Sequence, residues 1–373
     1  MAGDSLRTRT LLLTGDVMLG RGIDQLLPNP GDPRLIERYV DDARYYVRAA
    51  GSQNGRIRPP LPVTWPWGDA LAAIDAAEPD ARVINLETAI THDGRFAPGK
   101  EVHYRMCPDN IAVLRVARPD VCVLANNHVL DFGPAGLTDT VDALTGAGIA
   151  TAGAGQDATA ASRPVVIPLG ADHRLIVLAA ADESSGVPPQ WTATEHGPGV
   201  RLLPDLSAAT AETITAEVAE LKRPGDVVLF SVHWGSNWGY NVPRQQIRFA
   251  HHLADGGVDI VHGHSSHNPR PLDVYHDRLI LYGCGDLIND YEGITGYEEY
   301  RGDLRLLYFP SVDPDTGRLT GLRLVPLRSR RLRLIRTTTA ESAWLADTLT
   351  RFSGRFGARV SPEPDGGLRL AVS

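Results

Sequence analysis

Two features of the sequence predict an α/β fold. Short apolar, β-branched runs such as Leu11–Thr14, Val121–Leu124 and Asp226–Val232 alternate with longer stretches of helical periodicity. Several of those runs break directly into polar loops carrying carboxylate, amide or imidazole groups, and loops at the carboxyl ends of strands are where open α/β sheets bind ligands. With 373 residues, no internal repeat and no low-complexity linker, one domain spanning 1–373 is expected. It carries an inserted loop region at about 28–68 and a C-terminal extension at about 328–373.

In chain order, Leu11–Thr14 is a strand ending in Gly15-Asp16. A charged helix is expected over Arg34–Ala49, then a Pro- and Trp-rich loop from Arg58 to Trp67. Asp69–Ala77 reads as a helix and Arg82–Asn85 as a strand ending near Glu87. Asp109–Ala117 is a helix leading into the Val121 strand, whose end is Asn126-Asn127-His128. Leu137–Ala147 is a helix stopped by Gly148. Strands at Pro164–Pro168 and Arg174–Ala180 precede an amphipathic helix, Ala208–Lys222, stopped by Pro224-Gly225. The Asp226 strand ends in His233-Trp234-Gly235, and a helix follows at Arg244–Ala254. Val258–Val261 ends in His262-Gly263-His264 with His267 beyond, and Leu279–Tyr282 ends in Gly283-Cys284-Gly285-Asp286. A strand pair at Leu304–Phe309 and Leu319–Leu327, a helix at Ala340–Phe352 and a short polar tail complete the chain.

Composition excludes several classes. No apolar run approaches the ~20 residues that span a bilayer, and the polar start, Met1–Thr10, leads straight into a strand. Neither a signal peptide nor a membrane partner is therefore expected. Cys107, Cys122 and Cys284 are odd in number and widely spaced, which argues against a disulfide framework and suits a cytoplasmic location. A formal charge of −8 argues against nucleic acid as a partner.

Chemistry concentrates at the strand ends. Asp16, Glu87, Asn127 with His128, His233, and His264 with His267 each follow a strand. Alone, each has a plain structural explanation, such as a helix cap, a loop acid or a hydrogen-bonded core histidine. Recurrence at one end of successive strands points instead to a shared site, and Gly263-His264-x-x-His267 sets two imidazoles on one tight loop. Carboxylate, amide and imidazole without thiolate suit one or two divalent ions of Mn, Zn or Fe and no organic cofactor.

The order of these motifs is similar to that of the CapA family. Gly15-Asp16-Val-Met-Leu-Gly, Asn85-Leu86-Glu87-Thr88, Asn126-Asn127-His128 with Asp131-Phe132-Gly133, His233-Trp234-Gly235 and Gly263-His264-x-x-His267 carry the likeness from about Thr10 to about Leu327. The family is named for poly-γ-glutamate capsule synthesis and related to calcineurin-like metallophosphatases. The resemblance implies a four-layer α/β/β/α sandwich with its metal site at the strand ends. It implies Asp16, Glu87 and His267 around one ion and Asn127, His233 and His264 around another, with Glu87 bridging and His128 the acid/base. One position departs from the metallophosphatase pattern: Met18 stands where a ligand histidine would be.

Three reactions follow as expectations. The chain is similar to soluble family members that resemble the lasso-peptide epimerase, which inverts a C-terminal tryptophan of a ribosomal precursor peptide. That makes a precursor peptide the expected partner and metal-assisted Cα proton exchange the expected chemistry. His128 would be one acid/base, with Asp131, His103 or Glu183 as the second. Trp65, Trp67, Trp234 and Trp238 would offer an aromatic pocket, with His103 nearby. The alternatives are a metal-dependent phosphoesterase or hydrolase and a capsule-related role. The Arg-rich run Leu322–Arg336 reads as a charge-protected edge strand or as a groove for an acidic peptide.

Overall fold

The computed structural model describes residues 8–371. The polar start at 1–7 lies outside the described residues. Strand Arg9–Val17 is the axis of a ten-stranded sheet. On one side it pairs in parallel with Ala81–Leu86, followed by Val121–Val123 and Ala150–Ala152. On the other it pairs antiparallel with Leu304–Asp313, then Arg318–Ser329. The second sheet has six strands, with Arg174–Ala181, Asp226–His233, Ile260–His264 and Arg278–Leu281 parallel at its centre.

Side-chain alternation along each strand sorts the residues into layers. Leu11, Leu13, Val83 and Val121 of the first sheet meet Val177, Leu229, Ile260 and Leu281 of the second, forming the inner core. Leu12, Ile84 and Cys122 turn the other way, under Ile74 and Leu137 from helices Asp69–Ala77 and Gly133–Gly146. Across the molecule, Ile176, Val228, Phe230 and Val261 are covered by Ile214 and Phe249 from helices Ala208–Leu221 and Arg244–Asp255. The result is the expected four-layer α/β/β/α sandwich. Each fully buried aliphatic side chain contributes about 1.5–3 kcal/mol, and all three interfaces between the layers are filled with them. The three cysteines are buried and unpaired. Among the described residues, no helix is long and apolar enough to cross a membrane.

Four expectations are corrected. The helix placed at Arg34–Ala49 runs from Arg44 to Asn54. The segment before it is irregular, with Ile36 and Tyr39 exposed. The Asp109–Ala117 helix is broken into a 3₁₀ turn, Pro108–Asn110, and a single turn, Ala112–Arg115. The polar tail is two strands, Arg359–Pro362 and Leu368–Ala371. Leu368 and Leu370 are buried between exposed neighbours, a period-two signal too short to read in isolation. Because Leu368–Ala371 pairs with Arg318–Ser329, the Arg-rich strand is no free edge. Its arginines serve ion pairs within the fold: Arg323 with Glu363 and Asp365, and Arg328 with Glu341.

One glycine fixes the entry to the site. A Cβ on Gly15 would lie 1.6 Å from the Gly285 carbonyl oxygen, which accepts the Asp16 N–H at 3.0 Å. Gly15→Ala must therefore push the Asp16 and Asp286 strand ends apart. The expected cost is about 3 kcal/mol or more, read from the urea midpoint; an unchanged midpoint contradicts the close approach.

Candidate metal centre and active site

The parallel strands place their carboxyl ends together. Asp16 ends its strand opposite Asp286 in register, and the Asn85 amide donates to Asp16 Oδ1 at 2.7 Å. Ser265 N–H donates to Asp16 Oδ2 at 3.2 Å from across the sandwich. Two groups of potential ligand atoms share Asp16: one with His233 and His264, the other with His267 and Asp286, each within 4.8 Å. Glu87 lies beside both histidine-bearing loops, with Oε1 3.8 Å from His233 Nε2 and from His128 Nε2. Asn127 Oδ1 is 3.2 Å from His233 Nε2.

The structure thus brings together Asp16, Glu87, Asn127, His233, His264 and His267. It differs from the expected grouping in two ways. The carboxylate common to both groups is Asp16 rather than Glu87, and Asp286, outside the expected set, joins Asp16 and His267. Asp286 is held by His267 Nδ1 at 2.9 Å and by the Asn289 amide at 2.6 Å.

A buried hydrogen-bond chain fixes one imidazole. His262 Nε2 donates to the Thr14 carbonyl at 2.8 Å, so its Nδ1 accepts from Ser231 Oγ at 3.0 Å. Ser231 Oγ then accepts from His264 Nε2 at 2.9 Å, which leaves the His264 Nδ1 lone pair facing His233, 2.7 Å away. Burial holds His233 and His264 well below the usual imidazole range, so both are neutral and able to ligate.

The loop after Val121–Val123 builds a different device. Asn126 staples the turn: its amide donates to the Leu86 carbonyl at 2.8 Å, and its Oδ1 accepts the N–H groups of His128 and Val129. That fixes His128, whose Nδ1 donates to Asp131 Oδ2 at 2.6 Å, leaving Nε2 toward Glu87. Asp131 also accepts from Tyr104 N–H at 2.7 Å and from Lys100 Nζ at 2.5 Å. Lys100 further donates to the Asn127 carbonyl. Burial pushes His128 down to about 4 against the opposing pull of Asp131. Burial would raise Asp131, but His128 and Lys100 outweigh it and hold the carboxylate below its usual range.

The donors fit a divalent cation. Glu87 Oε2 is buried without a hydrogen-bond partner, and the set of carboxylate, imidazole and amide groups suits Mn, Zn or Fe. Asp16, His267 and Asp286 would hold one ion, and Asp16, His233 and His264 another, with Glu87 and Asn127 adjacent. Burial, and then Asp286, push the Asp16 carboxyl up to about 7; burial, and then Asp16, raise Glu87. A bound cation requires both ionised, so binding expels protons and tightens as pH rises toward and through 7. Titration calorimetry in buffers of different ionisation enthalpy should find more protons released at pH 6 than at pH 8. Equal release at both contradicts the raised Asp16.

The expected aromatic pocket is corrected at Trp65, Trp67, Trp234 and His103, while Trp238, the remaining expected tryptophan, does line a cavity. Trp67 is fully buried, with Nε1 donating to the Val113 carbonyl. Trp234 is fully buried among Phe249 and Tyr282. Trp65 packs near Arg331 and Arg333 and donates to the Arg331 carbonyl. His103 is buried between Phe96 and Phe132, bonded to the Ala97 carbonyl. These rings pack loops against the body. Asp131 is likewise unable to serve as a second acid/base, because both its oxygens are engaged behind His128; Glu183 is exposed on a 3₁₀ turn.

The open space lies elsewhere. A cavity of about 540 Å³ opens beside His267, walled by Trp238, Tyr291, Tyr297 and Tyr46. Trp238 and Tyr297 stack with centroids 4.4 Å apart. Lys100 and these tyrosines carry no spacing signal; Asp286 follows a strand, as the other ligand candidates do.

Comparison with known proteins now places the chain. It matches the family model described as bacterial capsule synthesis protein PGA_cap over residues 10–291, and it belongs to that family. The probable polyglutamine synthesis accessory protein of Mycobacterium tuberculosis, in strains CDC 1551 / Oshkosh and ATCC 25618 / H37Rv, is 53% identical over 362 residues. That alignment covers 97% of this chain and 95% of the relative. Capsule biosynthesis protein CapA of Bacillus anthracis is 26% identical over 75% of this chain and 60% of its own. PGA biosynthesis protein CapA of Bacillus subtilis is 27% identical over 55% and 52%. The crystal structure of TT1561 of Thermus thermophilus superposes with a TM-score of 0.36 at 12% identity, over 84% of this chain and 97% of its own. That overlap is too loose to argue from.

Proposed function

We propose that this chain is a metal-dependent hydrolase of an amide-linked, glutamate-type polymer, acting within capsule-type polymer synthesis. One observation carries the reading: the open Nε2 of His128, fixed by Asp131 through Nδ1, faces Glu87 and the cluster of candidate metal ligands. The names of the relatives, capsule and polyglutamine or PGA synthesis, support the substrate class. None of them is named for epimerisation. An inversion also needs a second acid/base, and Asp131 and His103, two of its three candidates, are locked into other contacts.

A bound divalent ion would supply a more acidic water and a polarised carbonyl. The chain's own residues handle the proton. His128 is neutral at pH 7, so Nε2 takes a proton from the water as its oxygen bonds to the amide carbon. The C–N bond then breaks, and Nε2 returns that proton to the leaving nitrogen. Asp131 steadies the imidazolium in between, and Lys100 keeps Asp131 ionised.

The test uses poly-γ-glutamate and Mn²⁺-loaded protein, following chain length by light scattering and new amines by fluorescence labelling. Shortening with one amine per cut, absent in His128→Ala, supports the reading. Unchanged polymer alongside turnover of a generic phosphoester rejects it.

A further inference from the structure

Strand Leu304–Asp313 carries Arg305 to the back of the cavity, where its side chain is 1% exposed. Nη2 donates to Asn289 Oδ1 at 2.9 Å, while Nε and Nη1 have no hydrogen-bond partner among the described residues. The other arginines lining the cavity are engaged: Arg21 by Glu37 and Asp290, Arg301 by Asp303, and Arg328 by Glu341. Arg305 is therefore a buried cation with open donors, an arrangement that is costly unless an anion completes it. A hydrogen-bond relay through Asn289 and Asp286 leads from it to His267, at the edge of the metal-ligand cluster.

We infer that Arg305 is the seat of a substrate carboxylate, bound by its open guanidinium donors while the planar amides of the chain lie against Trp238 and Tyr297. Charge-assisted hydrogen bonds from arginine to carboxylate are strong and directional, and aromatic faces suit amide planes. The surroundings favour a single negative charge. Glu292 and Asp303 line the same cavity and would repel a phosphate dianion more than a carboxylate. The inference deepens the hydrolase reading, and rests on it for the carboxylate's being that of a glutamate-type residue.

The test is equilibrium binding of N-acetyl-L-glutamine, which carries one carboxylate beside a side-chain amide, and of its neutral α-amide to the full chain, with chelator and with Mn²⁺. Wild type should prefer the acid at least tenfold, and Arg305→Met should lose that preference in both metal states. Arg305→Lys, retaining charge without the fork, should keep part of it. Trp238→Ala should weaken acid and amide alike. Arg305 makes one hydrogen bond, to Asn289, and no ion pair among the described residues, so Arg305→Met should still fold and melt cooperatively. The inference is overturned by an undiminished preference in Arg305→Met, by inorganic phosphate binding more tightly than the acid in an Arg305-dependent way, or by Arg305→Met failing to fold. Uncut polymer together with Arg305-dependent binding would reject the hydrolase and leave the carboxylate seat intact.

Discussion

His128→Ala is expected to lower polymer cleavage by about 10²–10⁴-fold, the range a positioned general acid/base contributes. The effect should fall on kcat, with KM little changed, because His128 acts on the moving proton rather than on the bound chain. Metal affinity should stay within about twofold, since His128 Nε2 faces Glu87 at 3.8 Å and belongs to neither group of ligand atoms around Asp16. Added imidazole should restore part of the rate through the space left behind. A variant that loses metal along with activity would make His128 a ligand and remove the proton-transfer role.

The second large effect is expected at Asp131, which touches no substrate and works by positioning His128. Its two oxygens accept from His128, Tyr104 and Lys100 with no exposure to solvent. Asp131→Asn keeps the shape but removes the anion. Lys100 is then left largely buried beside a neutral amide, and breaking such a pair costs about 3–5 kcal/mol. His128 also loses the partner that holds the proton on Nδ1, so a rate loss on the order of 10³ is expected from the wrong tautomer. Stability alone cannot separate positioning from packing, so the deciding readout is the imidazole ¹⁵N spectrum. Wild type should show Nδ1 protonated and Nε2 bare; Asp131→Asn should show the other tautomer or a mixture. An unchanged spectrum with an unchanged rate would leave Asp131 as a folding residue only.

What could be read from the chain alone was what local pattern encodes. An apolar run that stops at a polar residue announces a strand end. Asp16, Glu87, Asn127, His233 and His264 are legible in that way, whereas the four-layer stacking of sheets and helices is implied by the family resemblance and not by local pattern. Asp286 was harder, because its place beside Asp16 depends on parallel pairing between strands far apart in sequence. Lys100 sits in an irregular segment, where no period marks it. The tryptophans failed for a different reason. An indole serves a buried wall and a binding wall equally well, and only packing separates the buried Trp67 and Trp234 from Trp238 at the cavity. Arg305 is a single charge in the apolar run Leu304–Phe309, and nothing local in the sequence marks its burial together with open donors.

The most direct measurement is an anomalous difference map from crystals of the Mn²⁺-loaded protein, paired with the metal content of the dialysed protein in solution. Peaks are expected between Asp16, His233 and His264 and between Asp16, His267 and Asp286, with at least one retained equivalent per chain. A protein that retains no metal, or whose peaks fall away from Asp16, would contradict the metal centre and with it the hydrolase built upon it.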